Sequence, residues 1–162
     1  MTARFFEDFQ VGAMWQSAPT PITAEEIMAF GREFDPQPMH TDPHYAGRGP
    51  FQGLVASGWH IAALSMRVFV QAGGYGATPM VGLGIDELRW QAPVRPGDVL
   101  TVERKVCELR PSQSNPAHGI VRTQVTVRRQ DGQVAMTLVS AGRVPTRAGA
   151  AASTTATDGS GT

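Results

Sequence analysis

The chain has 162 residues, 41% of them apolar and 17% charged, which indicates one folded domain rather than a disordered chain. Its 14 basic and 14 acidic residues balance to a formal net charge of zero, which argues against a nucleic-acid-binding protein. The single cysteine, Cys107, excludes an intrachain disulfide, and we expect it to be buried. The first residues include Glu7 and Asp8 and no apolar segment, so we expect no secretory signal and a soluble, cytoplasmic protein without a membrane partner.

The first third of the chain contains a strand-like stretch, Ala13–Pro21, followed by a helix signal. Thr23 and Glu26 have the spacing of a capping box, in which each side chain satisfies a backbone N–H of the first helical turn. The apolar spacing then predicts a short amphipathic helix that ends before Pro36. The Pro- and Gly-rich stretch that follows, Asp35–Gly53, reads as an ordered loop with one turn of helix.

A second helix is predicted over Ser57–Ala72, with Ser57 as its N-cap and Gly73-Gly74 as its stop. This segment is apolar on nearly every side, which is typical of a buried helix. About 15 residues are too few to span a bilayer, which needs roughly 20. We therefore expect the rest of the domain to wrap around this helix.

The second half of the chain supplies strands that could form this wrapping. An apolar–polar alternation and the turn signals at Pro96-Gly97-Asp98 and Asp131-Gly132 separate the segments. The predicted strands are Val81–Gln91, Val99–Leu109, Ile120–Arg129 and Gln133–Val144. The sequence thus predicts an α+β domain in which an antiparallel sheet curls around one central helix.

The composition changes near the C-terminal end. Residues 146–162 are almost entirely Ala, Gly, Ser and Thr, which offer little to bury. We therefore assign the folded domain to residues 1–145 and expect residues 146–162 to form a disordered tail.

The first candidate site is the pair Asp35 and His40, five residues apart in the proline-rich loop. A carboxylate and an imidazole held together can share one water, so that one removes a proton while the other delivers one. The alternative is structural: Asp35 caps a turn and His40 hydrogen-bonds to it.

The second candidate is Ser57-Gly58 at the start of the buried helix. The Gly58 N–H, supported by the helix dipole, could stabilise a carbonyl oxygen that becomes an oxyanion. The alternative is an ordinary N-cap followed by a glycine chosen for close packing. A metal site formed by His40, Asp42 and His44 is not expected, because Pro43 interrupts any regular strand there.

Three segments, Phe30–Pro43, Phe51–Gly58 and Pro93–Asp98, together resemble the MaoC-like acyl-CoA dehydratases, which include the (R)-specific enoyl-CoA hydratases. The resemblance implies a hotdog fold, a homodimer or dimer of dimers with active sites at the subunit interface, and no cofactor beyond the coenzyme A of the substrate. It assigns the role of base to Asp35, of acid to His40 and of oxyanion donor to Gly58. Gln37 and Ser57 stand where the family commonly has Asn and His, and we expect both to contact the substrate.

The resemblance implies reversible hydration of a 2-enoyl-CoA to the (R)-3-hydroxyacyl-CoA, an activity of fatty acid metabolism. One alternative is a hotdog thioesterase. Many thioesterases of this fold are known to use a carboxylate on or near the central helix, and the absence of Asp and Glu between Ser57 and Gln71 argues against this alternative. The other is a hotdog protein that binds acyl-CoA without catalysis, which the presence of Asp35, His40 and Gly58 makes the weaker reading.

Overall fold

The computed structural model describes residues 2–78 and 80–157. After a 3₁₀ turn at Phe6–Asp8, the strands and helices follow in this order: β1 Met14–Gln16, β2 Thr20–Pro21, α1 Ala24–Phe34, α2 Pro38–Thr41, α3 Pro43–Ala46, α4 Gly58–Gln71, β3 Val81–Trp90, β4 Val99–Pro111, β5 His118–Arg129, β6 Val134–Pro145 and α5 Arg147–Thr157. In this part of the chain no helix has the length and apolar character needed to cross a membrane.

The six strands form one antiparallel sheet in the order β1-β4-β5-β6-β3, with β2 also paired to β4. The helix α4 contributes Ile61 and Leu64 to the main apolar core, where the inward-facing side chains of β4 and β5 also lie. Among the latter, Val102, Val125 and Val127 are fully buried. The predicted α+β arrangement of an antiparallel sheet around a central helix is confirmed.

The helix α4 is covered on one side only. Ser57 caps it as predicted, and its buried residues include Ile61, Leu64 and Phe69. On the opposite side, however, three large apolar side chains are 42–54% exposed: Trp59, Met66 and Val70. The sequence indicated a buried helix, whereas in a single chain α4 is buried on one side only, because the sheet curves around that side.

The capping box and the loop after it hold the candidate residues in place. The Glu26 N–H donates to Thr23 Oγ1 at 3.1 Å and the Thr23 N–H to Glu26 Oε2 at 3.0 Å, as predicted. The helix α1 then ends at Phe34, before Pro36, and Asp35 is its C-cap. The loop contains two single-turn helices rather than one, because Pro38 and Pro43 each occupy the first turn of a new helix.

The close approach of α2 to α1 depends on Gly31. A Cβ added at this buried position would lie 2.9 Å from the His40 carbonyl oxygen and 3.0 Å from Thr41 Cγ2. Only a residue without a side chain lets the His40 backbone come this near. Gly31 thereby sets the position of His40 relative to α1.

Two further expectations from the sequence require correction. Cys107 is exposed rather than buried, because it continues the outward-facing set of side chains along β4, in which Val102, Arg104 and Val106 are the buried alternates. The segment expected to be disordered forms the helix α5 over Arg147–Thr157. Residues 158–162 of the expected tail lie outside the described residues.

The start of α5 is held by contacts that its composition did not reveal. The Thr146 N–H donates to the Ala117 carbonyl at 2.9 Å, and the Thr146 hydroxyl accepts from the Gly149 N–H at 3.0 Å. The Arg147 guanidinium forms an ion pair with Asp8. Alanine also has the highest intrinsic helix propensity, so this Ala-rich segment continues as a helix once its first turn is fixed.

Substitution of Gly31 by alanine should destabilise the domain by about 1–3 kcal/mol, because the new methyl group meets backbone atoms that cannot move aside. Gly47 is the matched control: it is exposed, has helical dihedral angles, and a Cβ there meets nothing closer than 3.4 Å. Gly47→Ala should be neutral or slightly stabilising. Urea unfolding of both variants checks this, and equal stability of the two would contradict it.

Candidate active site

Asp35 is held by hydrogen bonds to both of its carboxylate oxygens. The Ser57 hydroxyl donates to Oδ2 at 2.6 Å, and the Gln37 amide donates to Oδ1 at 2.8 Å. The side chain is 18% exposed, so one side of the carboxylate remains accessible. These donors, chiefly the Ser57 hydroxyl, together with the charge of nearby His40, lower the pKa of Asp35 below its ordinary value. Asp35 is therefore an ionised acceptor at neutral pH.

His40 is buried and its ring orientation is fixed from one side. Its Nδ1 lies 2.8 Å from the Val55 carbonyl oxygen. Because a carbonyl only accepts, Nδ1 carries a hydrogen and donates it. The other ring nitrogen, Nε2, lies 3.4 Å from Asp35 Oδ2. Nε2 is thus the nitrogen that faces the carboxylate and can gain or lose a proton there.

The N-terminus of α4 lies beside this pair, because Ser57 contacts both. Its hydroxyl accepts from the Trp59 N–H at 3.2 Å while it donates to Asp35. Gly58 is the first residue of the helix, and no described residue accepts from its N–H. The ring of Trp90 packs against Gly58 so closely that any side chain there would overlap it. A glycine is therefore required at position 58 for close packing, as one alternative held. Its N–H is also a free donor at the positive end of the α4 dipole.

One cavity of about 420 Å³ brings all five predicted residues together: its lining includes Asp35, Gln37, His40, Ser57 and Gly58. Gln37 and Ser57 were expected to contact the substrate. In the structure both donate to Asp35, a partner within the protein that the sequence did not indicate.

Sequence reasoning missed two members of the site. The Val55 carbonyl fixes the tautomer of His40, and a backbone acceptor leaves no signature in the sequence. Trp90 lines the same cavity and stacks edge-to-face on Trp59 with ring centroids 5.4 Å apart. Its position at the end of a predicted strand gave no sign that it would reach the helix start.

The side chains of His40, Asp42 and His44 are directed to separate partners. Asp42 caps α3 by accepting from the His44 and Tyr45 N–H groups. The His44 ring contacts Arg48, 2.8 Å away. Within residues 2–78 and 80–157, no three such side chains form a group that could hold a metal ion.

The fold places a carboxylate and an imidazole side by side at the start of the helix α4. Comparison with known proteins identifies the class of protein that has this arrangement. The sequence profile described as the MaoC like domain matches residues 9–129. The chain belongs to this family, and its hotdog fold is that of solved MaoC-like dehydratases.

Individual relatives agree with this assignment. A MaoC-like dehydratase from Rhodospirillum rubrum superposes with a TM-score of 0.83 at 42% identity, over 90% of this chain and 99% of that one. An (R)-hydratase from A. caviae involved in PHA biosynthesis has a TM-score of 0.69 at 25% identity, over 86% and 99%. A 3-hydroxybutyryl-CoA dehydratase from Methylorubrum extorquens is 32% identical over 111 residues, 67% of this chain and 68% of the relative.

The substitution Ser57→Ala should raise the pKa of Asp35, since it removes the hydrogen bond that contributes most to lowering it. The carboxyl-carbon NMR signal of Asp35 should then titrate at higher pH than in the wild type. Because the folded-state pKa lies below the unfolded value, Asp35 stabilises the fold above about pH 4 and loses this contribution as the pH falls through the folded pKa. The variant should lose less stability over that interval.

Ser65→Ala is the control for this titration. Ser65 is a buried serine on the same helix, and its hydroxyl donates to the Ala62 carbonyl instead. It should leave the Asp35 titration unchanged. An Asp35 carboxyl that titrates identically in wild type and Ser57→Ala would contradict the assigned cause.

Proposed function

We propose that the protein catalyses the reversible hydration of a 2-enoyl-CoA to the (R)-3-hydroxyacyl-CoA. The observation that carries the proposal is the 3.4 Å approach of His40 Nε2 to Asp35 Oδ2 in the cavity that Gly58 also lines. The similarity to a 3-hydroxybutyryl-CoA dehydratase and an (R)-hydratase supports the same reaction class.

In the hydration direction, Asp35 and the imidazolium form of His40 both contact one water on the cavity side of the pair. The ionised Asp35 takes a proton from the water as the hydroxyl adds to C3 of the enoyl group. The electron pair of the C2–C3 double bond moves toward the thioester oxygen, and the resulting enolate re-forms the carbonyl as C2 takes the proton from His40 Nε2. Asp35 then passes its proton to Nε2, which restores both groups for the next cycle.

The hydrogen bonds around the pair suit these roles. The donors on Asp35 keep it ionised at neutral pH, the state in which it can accept a proton, and they also make it a weak base. A weak base gives up its proton readily, and Nε2 of His40 is the neighbour placed to receive it. The bond from Nδ1 to Val55 keeps Nε2 directed at the site through the cycle.

The thioester carbonyl is assigned to the N-terminus of α4. Negative charge develops on its oxygen when the hydroxyl adds, and the Gly58 N–H is a donor there from which no described residue accepts. One such donor contributes about 10²–10³ in rate in comparable sites. Ser57 joins the two halves of the site, because the hydroxyl that caps this helix also donates to Asp35.

Asp35→Asn keeps the shape of the side chain but cannot take a proton, and His40→Gln keeps polarity but cannot cycle one near neutral pH. Each should lower kcat for hydration of crotonyl-CoA by about 10²-fold or more, with KM changed only a few-fold. Loss of enoyl absorbance follows hydration, and a thiol reagent follows hydrolysis in parallel. The double variant should lose little beyond the worse single one, because both residues act on one water.

His44→Gln is the matched control, because His44 lies in the same loop but contacts Arg48 outside the site. It should retain wild-type turnover. Wild-type hydration by either member of the catalytic pair, or thiol release in place of hydration, would show the assignment to be wrong.

We also propose that the protein forms a two-fold homodimer. The strand β3 ends the sheet, so its outer edge has no partner in the described structure. Three apolar side chains on this strand are 47–52% exposed: Val81, Leu83 and Ile85. The outer side of α4 is exposed as well. An unpaired apolar edge favours association, and a second copy would cover both surfaces.

Light scattering after size exclusion should give a mass of about twice 17.3 kDa, or a multiple of it. Leu83→Lys should shift the mass toward that of one chain, because the introduced charge would be buried against the partner. Val11→Lys, at an exposed apolar residue away from β3, should not. A wild-type protein that is monomeric at micromolar concentration would refute the dimer.

A further inference from the structure

Arg104 is a buried cation that no acidic residue of the described chain neutralises. It lies on β4, is 5% exposed, and forms no ion pair with any carboxylate of residues 2–78 and 80–157. Burial lowers the pKa of its guanidinium, which nevertheless stays protonated at neutral pH. A buried charge without a partner is costly, so its presence requires an explanation.

The contacts of Arg104 within the protein leave much of its hydrogen-bonding capacity unused. Nη2 donates to the Tyr75 hydroxyl at 3.3 Å and to Ser140 Oγ at 3.4 Å, which are long bonds to neutral groups. Nε has no acceptor among the described residues, and none accepts from Nη1. The ring of Phe69 lies 4.1 Å from the guanidinium carbon, a cation–π contact that holds the group flat without neutralising it.

The guanidinium lines a large apolar cavity between α4 and the sheet. Three residues of its lining, Trp59, Met66 and Ile85, lie on the surface that the proposed dimer covers, so a second copy would close the cavity from that side and leave Arg104 inside it.

The cavity measures about 910 Å³, within the range of small-molecule sites. Its other lining residues are largely apolar and include Phe9, Trp15, Phe30, Met66, Phe69 and Leu138. The second cation in the lining, Arg4, donates to the Gly74 carbonyl oxygen at 2.8 Å and packs over the ring of Phe9. A planar cation that faces such a cavity with free N–H groups is complementary to a carboxylate carried on an aliphatic chain.

We propose that this cavity binds an aliphatic chain that ends in a carboxylate, and that Arg104 forms a two-point ion pair with that carboxylate. The guanidinium is pre-oriented by Phe69 and Tyr75, and the chain replaces water along the apolar walls. The ion pair then forms in a site of low polarity, where it is stronger than at the surface.

The carboxylate could belong to the acyl group of the substrate or to a separate fatty-acid anion. Trp59 lines both this cavity and the site that contains Asp35 and His40, so the two are adjacent. Phe69, against which Arg104 packs, lies eleven residues beyond Gly58 on α4, which is roughly 16 Å along the helix axis. An extended chain of roughly a dozen carbons spans that distance. If the source is the substrate, which rests on the proposed function, the substrate is a medium-chain acyl-CoA with a terminal carboxylate.

The first experiment needs no turnover. Binding of dodecanoate and of the uncharged 1-dodecanol to the wild-type protein is measured by calorimetry at neutral pH, and dodecanoate should bind at least 10-fold more tightly. Arg104→Met should abolish this preference, and Arg104→Lys should retain part of it, since lysine keeps the charge but not the two-point geometry. Arg110→Met removes a charge from the exposed part of the same strand and should leave the preference intact.

The second experiment distinguishes the two sources. Hydration of trans-2-dodecenoyl-CoA is compared with that of its counterpart with a terminal carboxylate. If the carboxylate belongs to the substrate, kcat/KM should favour the second compound and Arg104→Met should remove that advantage. If it belongs to a separate anion, Arg104→Met should affect dodecanoate binding and not the ratio of the two rates. A protein that hydrates neither compound refutes the proposed reaction, while the binding experiment still decides on the cavity.

A structural role for Arg104 makes different predictions. Replacement of an uncompensated buried charge by methionine should leave the melting temperature of the ligand-free protein unchanged or raise it, whereas removal of a structural contact should lower it. Should Arg104→Met fail to fold, Arg104→Lys takes its place, and a reduced preference for dodecanoate over dodecanol is then the expected result. Equal affinity for the two, binding of neither, or a preference that survives in Arg104→Met overturns the proposal.

Discussion

The hydroxyl of Ser57 is the interaction on which the candidate site depends. It accepts from the Trp59 N–H, which caps α4, and donates to Asp35, which ends α1, 22 residues earlier in the chain. One oxygen therefore fixes the distance between a helix N-terminus and a carboxylate. Asp35 in turn lies 3.4 Å from His40. Ser57 therefore sets the position of the proton-transfer pair relative to the Gly58 N–H, the proposed donor to the oxyanion. Rigid elements held by short bonds are what orientation of a substrate requires.

Local signals made much of this arrangement predictable. The capping box, the proline after α1 and the serine before α4 each act within one helical turn, and each was found where the sequence indicated it. The apolar–polar alternation that predicted the strands is seen along β5, where Val125 and Val127 lie in the core. Such patterns are reliable because the competing conformations are excluded by the residue itself, for example by the missing N–H and fixed φ of proline. Such local patterns do not indicate which distant segments of the chain come into contact.

What the sequence could not provide was the pairing of groups far apart along the chain. Gln37 and Ser57 were expected to contact the substrate, yet both donate to Asp35, since the loop folds back on the start of α4. The order of α5 likewise follows from contacts with Ala117 and Asp8. Each depends on where another segment lies, which is a tertiary effect that overrides local composition.

The helix α4 separates two kinds of polar group, and this separation is the physical logic of the domain. At its N-terminus, hydrogen bonds satisfy Asp35 and His40 within the protein, so the charge there is stable and can serve proton transfer. Near its C-terminus, Arg104 packs on Phe69 with free N–H groups, and no carboxylate of the described residues lies against it. A fold selected only for stability would place a methionine or leucine at such a position, because an apolar side chain of similar volume avoids the cost of desolvation. A cation at this position is explained if the carboxylate of a ligand completes the ion pair. The buried charge then lowers the stability of the ligand-free protein and contributes to the affinity and selectivity for that ligand.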